Sequence, residues 1–371
     1  MSNRPLRVAM TLEQCWHRVP GGTAVAALAL ARELAQDPEL DLVGVAAAHR
    51  KPPPPEWTPP LAVRRLPLPR LALYESWARL RRPHVERATG RVDVIHATAI
   101  ALPPRSAPIV FTIHDLAFRH YPEHFTRVGL RFFNRNLELA RREADLVLCS
   151  SLATLADCGE AGFEAGRLRH VPLGVDVEVA DASAVKRVRR TYALERPYVL
   201  WTGTTEPRKN LAGLLEAFGR LEADVDLVLV GPRGWKENLS RRLASLPEPA
   251  RRRVRLLGFV PRADLGPLYA GASTFCFPSL LEGFGFPVLE AMAQRTPVVT
   301  SAGTSTAELA GDAGLLVDPR DSEAIADAVD RVLSDGALAE RLRRAGPARA
   351  AVYTWARTAR LVKDGYREVA Q

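Results

Sequence analysis

The residues best suited to chemistry fall at the ends of short β-rich runs. In Thr274–Thr300 (TFCFPSLLEGFGFPVLEAMAQRTPVVT) such a run ends at Pro278, a loop carries Glu282-Gly283-Phe284-Gly285, and Phe286-Pro287 opens a helical pattern that holds Glu290. The two glycines let the backbone approach a ligand closely and turn its amides toward it. Proline suits a first helical turn, where its missing amide would lack an intrahelical partner anyway. Glu282 and Glu290 are expected to face one strand-end crevice, one carboxylate accepting from sugar hydroxyls and the other from a ribose. Alone, Glu290 would be explained as a favourable charge near a helix N-terminus; the glycine loop beside it points instead to a ligand site.

A second stretch, Tyr198–Phe218 (YVLWTGTTEPRKNLAGLLEAF), reads as a strand to Gly203, a polar loop, and a helix capped by Asn210 with Leu211, Leu214, Leu215 and Phe218 inward. Arg208 and Lys209 precede that helix and add to its positive end. Such a pair can take the negative charge left on a diphosphate when its bond to a sugar breaks, although an isolated Arg-Lys pair is by default a solvated loop. In the first half, Pro20-Gly21-Gly22-Thr23 stands between a strand and a helix, where its amides can cradle a phosphate. It is not G-x-G-x-x-G, which argues against a nicotinamide enzyme. His114-Asp115 ends the run Phe111–Asp115: a neutral imidazole there can donate to a sugar hydroxyl with the aspartate orienting it, and a satisfied polar pair fits equally well. His96 ends another run and is expected on the acceptor side.

Short β-rich runs alternate with helical patterns through most of the chain. The runs are Leu6–Leu12, Leu42–Ala48, Val92–Thr98, Pro108–His114, Ala144–Ser150 and Arg169–Val175, then Tyr198–Gly203, Asp226–Gly231, Val254–Val260, Thr274–Pro278, Pro297–Ser301 and Gly314–Asp318. Helical patterns include Ala24–Ala35, Thr126–Arg142, Asn210–Leu221, Leu239–Ala244, Phe286–Gln294 and Ser322–Leu333. This predicts an α/β protein of two doubly wound domains, 1–178 and 179–353, with the ligand beyond the carboxyl ends of the strands in a cleft between the sheets.

The pair Glu282–x7–Glu290 enclosing Gly283-Phe284-Gly285 resembles the signature of retaining glycosyltransferases of the GT-B fold, closest to a mannosyltransferase-like group. The resemblance extends over most of the chain and is strongest from about Tyr198 to Val329. It implies two Rossmann-like domains, a donor domain at the C-terminal side, an acceptor domain at the N-terminal side, and a last helix, 354–371, that packs back on the first domain. It assigns the donor diphosphate to Arg208 and Lys209, with the Gly283–Gly285 segment and Gly22 helping, and the base pocket to backbone near Val260, where packing explains the pattern equally well, as it does at Gly231. It places His114 against the transferred sugar and gives Glu282 a positioning role, with front-face attack in which a donor phosphate oxygen takes the acceptor proton. The expected reaction is transfer of a hexose, mannose from GDP-mannose in the leading reading, to a hydroxyl of a glycan, a lipid-linked or a small-molecule acceptor. A sugar-nucleotide epimerase or a non-catalytic nucleotide-sugar-binding protein are the alternatives. No cofactor beyond the nucleotide sugar and no obligate metal is expected, since Asp224-Val225-Asp226 enters a strand at the end away from the crevice.

With 371 residues, 47% hydrophobic and 25% charged, the chain has the balance of a globular protein. No apolar run is long enough to span a bilayer, and four scattered cysteines fit reduced thiols in the cytoplasm. The net charge of +9 is spread over both halves, which disfavours a nucleic-acid-binding module. Its one local excess is segment 51–91, with 9 basic and 3 acidic residues; with Pro, Leu and Trp77 it suits peripheral contact with the inner face of an anionic membrane.

Overall fold

Alternation along single strands shows how the first sheet is covered. In β1 (Leu6–Thr11), Val8 and Met10 enter one apolar cluster and Ala9 another, on opposite faces. The same split separates Val110 from Phe111 and Leu148 from Val147 further across the sheet. The computed structural model describes residues 4–17, 20–176, 178–232, 234 and 239–371. The other strands are β2 (Leu40–Ala46), β3 (Val63–Arg65), β4 (Val94–Ala97), β5 (Ile109–Ile113), β6 (Leu146–Cys149) and β7 (Leu168–His170) in the first half. In the second they are β8 (Tyr198–Thr202), β9 (Asp226–Val230), β10 (Val254–Gly258), β11 (Thr274–Phe277), β12 (Val298–Ser301) and β13 (Leu315–Val317). Each run expected as a strand overlaps one of these. β3 is additional, a three-residue edge strand with two arginines and no apolar run to announce it.

The orders are β3-β2-β1-β4-β5-β6-β7 and β10-β9-β8-β11-β12-β13, with every pairing parallel. In both sheets chain order reverses beside the first strand. The switch points therefore lie between β1 and β4 and between β8 and β11, where strand-end loops diverge and leave room for a ligand. β8, β9, β11 and β12 are buried along their whole length, which is why they read as unbroken apolar runs.

Two units form: Met1–Gly174 with Thr354–Gln371, and Val175–Tyr353. The division lies at 174/175, ahead of the 178/179 boundary expected from sequence. The helix Trp355–Val369 lies with the first unit; Tyr366 and Val362 join its core, and Lys363 pairs with Asp37 and Glu39.

One residue that the membrane reading of segment 51–91 leaned on has another role. Trp77, on the helix Arg70–Leu80, is 2% exposed, packs in the core and donates its indole N–H to the Pro83 carbonyl at 2.9 Å. No helix among the described residues is long and apolar enough to cross a membrane.

Candidate functional site

At the second switch point the loop after β8 meets the loop after β11. Pro207–Lys209 makes one tight turn, and Asn210 turns left-handed (φ 52°) to start the helix Leu211–Arg220. Asn210 Oδ1 accepts from the Gly213 amide at 3.2 Å, and its Nδ2 donates to the Pro278 carbonyl at 3.0 Å. The Leu280 amide donates to the Arg208 carbonyl at 2.8 Å. These bonds fix both loops, and their side chains converge.

Glu282 is held between both cations. Arg208 Nη1 lies 3.0 Å from its Oε2 and Lys209 Nζ 3.1 Å from its Oε1, while Ser279 Oγ donates to Oε1 at 3.1 Å. Arg208 Nε also reaches Glu206, at 2.9 Å. Burial alone would push the Glu282 carboxyl up; Lys209 and Arg208 together outweigh it and bring it down to about 2. Burial raises Glu206, and its two cationic neighbours only partly oppose this. Glu206, Arg208, Lys209 and Glu282 thus form a buried group with two charges of each sign.

Gly285 caps the helix Phe286–Ala293 at φ +113°, and a Cβ there would stand 2.8 Å from Thr306 Cγ2. Gly285→Ala is expected to cost about 1–3 kcal/mol from backbone strain, before the clash is counted, read as a lower denaturation midpoint. Phe284 does not present its ring to a ligand: it is buried edge-on against Phe286 and Tyr353. Gly231 has a packing reason, since a Cβ there would lie 2.0 Å from the Gly203 carbonyl oxygen. Its neighbour Arg233 in LVLVGPRG lies outside the described residues.

Glu290 accepts from the Tyr269 hydroxyl at 2.9 Å, and that hydroxyl is 2.7 Å from Thr202 Oγ1 at the end of β8. Burial pushes the Glu290 carboxyl above its usual range against Tyr269's hydrogen bond and the charges of Arg262 and Lys209. Lys209 acts on both glutamates. Beside Glu290 a cavity of about 490 Å³ is lined by Tyr269, Arg262, Leu265, Gln294, Asp176 and residues 178–181, a size that takes a nucleoside. Val260 is buried just before the helix Arg262–Ala270 that forms one of its walls. A larger hollow, about 880 Å³, lies at the opposite end of this sheet. There Asp224 pairs with Arg196 at 2.9 Å and Asp226, which opens β9, faces Arg255 at 3.8 Å.

The remaining expected residues lie in the first unit. Gly22 opens the helix Gly22–Leu34 behind Gly21. His114 Nε2 sits 3.3 Å from the Thr98 carbonyl. A carbonyl only accepts, so Nε2 carries the proton and Nδ1 is left as an acceptor, the reverse of the expected donor role. Burial keeps this imidazole below its ordinary value against the charge of Asp115 and the Thr98 bond. Asp115 does not orient the ring; its Oδ1 accepts from the Ala117 amide at 3.0 Å. His96 is corrected outright. It is fully buried, with Nδ1 2.6 Å from the Tyr366 hydroxyl and Nε2 2.8 Å from Thr112 Oγ1, so no ring nitrogen remains for an acceptor.

Sequence reasoning missed Glu206, Ser279 and Tyr269. Glu206 alone left a signal, a carboxylate two positions before the arginine it holds.

Residues 185–349 match the family described as Glycosyl transferases group 1, and residues 20–179 match Glycosyltransferase Family 4. O-antigen chain mannosyltransferase B of Escherichia coli is 35% identical over 272 residues, 71% of each chain. Serotype-specific mannosyltransferase WbdA of Escherichia coli is 32% identical over 206 residues, 54% of this chain and 25% of that larger protein. Among solved structures, Anabaena HepE in complex with UDP and glucose superposes with a TM-score of 0.78 at 20% identity, over 98% of this chain and 100% of that one. The two parallel-sheet units and this likeness give the GT-B fold.

Proposed function

The chain belongs to the group 1 glycosyltransferases, and from that premise we propose that it is a retaining enzyme moving mannose from GDP-mannose to an acceptor hydroxyl. The observation that carries this reading is Glu282 seated between Arg208 and Lys209 at a glycine loop on a sheet switch point. The likeness to mannosyltransferases at 32–35% identity supports the sugar.

On this reading the diphosphate lies on Arg208, Lys209 and the amide end of the helix Phe286–Ala293, whose partial positive charge favours an anion. Glu282 accepts from hydroxyls of the sugar, and Glu290 accepts from the ribose. The acceptor oxygen attacks the anomeric carbon from the side the phosphate leaves. The carbon–phosphate-oxygen bond breaks as the new glycosidic bond forms, and the acceptor proton passes to the departing phosphate oxygen. GDP and the mannoside are the products. Because two cations and helix amides supply the positive charge, transfer is expected to persist in excess chelator.

A thermal-shift series with GDP-mannose, UDP-glucose, ADP-glucose and dTDP-glucose tests the donor, since a ligand favouring the native state raises its melting temperature. GDP-mannose is expected to give the largest shift; a larger one with any other donor removes the GDP assignment.

Glu290 supplies a pH test. A carboxyl raised by burial takes its proton earlier than an ordinary glutamate as pH falls, and then loses part of its capacity to accept from the ribose. GDP affinity is therefore expected to weaken from pH 7.5 toward pH 5 in the wild type and to stay flatter in Glu290→Gln, read by titration calorimetry.

A further inference from the structure

The switch point of the first sheet carries polar groups that the donor chemistry does not use. Beyond β1, Gln14 is 1% exposed; its Nε2 donates to Thr98 Oγ1 at 2.8 Å, while its Oε1 is buried with no hydrogen-bond partner among the described residues. Thr98 follows β4 and is tied back to β1, its amide donating to Thr11 Oγ1 at 3.0 Å. Gln14 lines a recess of about 10 Å³ together with Thr11, Glu13, Leu73, Tyr74 and Trp77. That is room for one water-sized group, too little for a sugar ring and enough for one hydroxyl. A buried amide oxygen without a donor costs about 1–3 kcal/mol, so a hydroxyl entering the recess would satisfy it.

A second set of groups lies close by. His17 Nε2 is buried with no hydrogen-bond partner among the described residues. Arg70 opens the helix Arg70–Leu80, is half-buried, and makes no ion pair or hydrogen bond among the described residues. Its charge acts on His17 and on Tyr74, whose ring lines the recess. Arg50 and Lys51 stand exposed past the end of β2 and Arg65 at the end of β3, where it donates to the His49 carbonyl at 2.8 Å; none is in an ion pair among the described residues. Glu13, the carboxylate here, is already engaged: it accepts from the Ala47 amide at 2.8 Å and pairs with His49 at 2.9 Å. His49 in turn stacks on Trp16, ring centroids 4.8 Å apart. The uncompensated charge of the cluster is positive.

We propose that this switch point is an acceptor subsite for a phosphorylated sugar or polyol, in which one hydroxyl donates to Gln14 Oε1 and the phosphate rests against Arg70 and His17 Nε2–H. The proposal rests on the transferase reading for the word acceptor, but the phosphate site is testable without it. Neutral acceptors would leave Arg70 and His17 Nε2 unpaired, and an anion satisfies both with charge-assisted hydrogen bonds.

The test uses the whole chain saturated with GDP, so that the Arg208–Lys209 turn is occupied, and titrates mannose 6-phosphate, inorganic phosphate and methyl α-mannoside. Mannose 6-phosphate is expected to bind at least about tenfold more tightly than the methyl mannoside. Arg70→Ala is expected to erase that preference with an unchanged melting temperature and GDP affinity, and Arg70→Lys to restore part of it. Gln14→Leu is expected to weaken both sugars and leave inorganic phosphate unaffected. Co-sedimentation with phosphatidylcholine vesicles with and without phosphatidylinositol separates the sources. Arg70-dependent sedimentation on the inositol vesicles makes the phosphate a lipid headgroup's, and Arg70-dependent binding of the soluble probes alone makes it a free sugar phosphate's. Equal affinity of wild type and Arg70→Ala for both phosphate probes, or no preference over the methyl mannoside, overturns the proposal. Failure of GDP to bind overturns the donor reading instead, and the phosphate titrations still report on Arg70.

Discussion

Replacing Arg208 with alanine is expected to lower kcat for sugar transfer by about 10²–10³-fold, the usual loss when one preorganised donor to a developing negative charge is removed. The guanidinium does two things at once. Nη1 holds Glu282 at 3.0 Å and Nε holds Glu206 at 2.9 Å, so its plane is fixed before a ligand arrives. Free-nucleoside affinity is expected to change little, because the nucleoside cavity beside Glu290 is lined by other residues. Removing one partner of a buried pair also costs stability, by about 3–5 kcal/mol when burial is complete, and less here because Arg208 is 22% exposed. Arg208→Lys separates the two effects: it restores the charge and most of the melting temperature but cannot make the forked contact to two carboxylates, so transfer should recover only in part. Equal transfer rates in wild type and Arg208→Ala would exclude the diphosphate role.

Glu282→Gln should divide binding from turnover. The amide keeps the size of the side chain and an oxygen for Ser279 but removes one of two negative charges facing two cations. The buried group then goes from neutral to one net positive charge, so free GDP is expected to bind more tightly. The sugar loses a charged acceptor for its hydroxyls, and kcat is expected to fall by about 100-fold or more. Because tighter GDP can itself slow product release, the loss is read in single-turnover transfer, which separates chemistry from release. Weaker GDP binding in Glu282→Gln contradicts the charge argument, and unchanged kcat contradicts the positioning role. Since Lys209 and Arg208 keep Glu282 ionised well below the usual carboxylate range, acid loss of activity is expected to come from the carboxyls that burial raises, Glu290 and Glu206.

What the sequence disclosed depended on whether the cause was local. Strands buried on both faces, such as β8 and β11, declare themselves as apolar runs bounded by glycine or proline, and from them the two sheets could be read, while only the family resemblance put Arg208, Lys209 and Glu282 around one ligand. β3, with two arginines in three residues, has no such pattern because it is an exposed edge. His96 looked free at a strand end because Tyr366, which occupies its Nδ1, lies 270 residues away. Trp77 looked interfacial among prolines and arginines, and only packing shows that its ring is core. Asp115 was paired with its sequence neighbour, whereas a carboxylate two residues before an amide finds that amide first. Charge compensation was hidden in the same way. The Arg-Lys turn read as two free cations, and the fold returns two carboxylates to it.

The helix Trp355–Val369 lies in the unit formed by Met1–Gly174, and this sets the order in which the protein can be made. Tyr366 closes the buried site of His96, and Lys363 and Arg367 reach Asp37 and Glu39, so nothing synthesised before those residues can complete that hydrophobic interior. On a ribosome the usual sequence, in which the first-made domain matures first, is inverted: Val175–Tyr353 has all its strands and can settle while the earlier half still waits with one face of its sheet covered only in part, by the helix Gly22–Leu34. Cutting the gene after the first Rossmann-like half would therefore yield a sticky fragment, whereas a circular permutant joining 354–371 ahead of residue 4 would give that half everything it packs with.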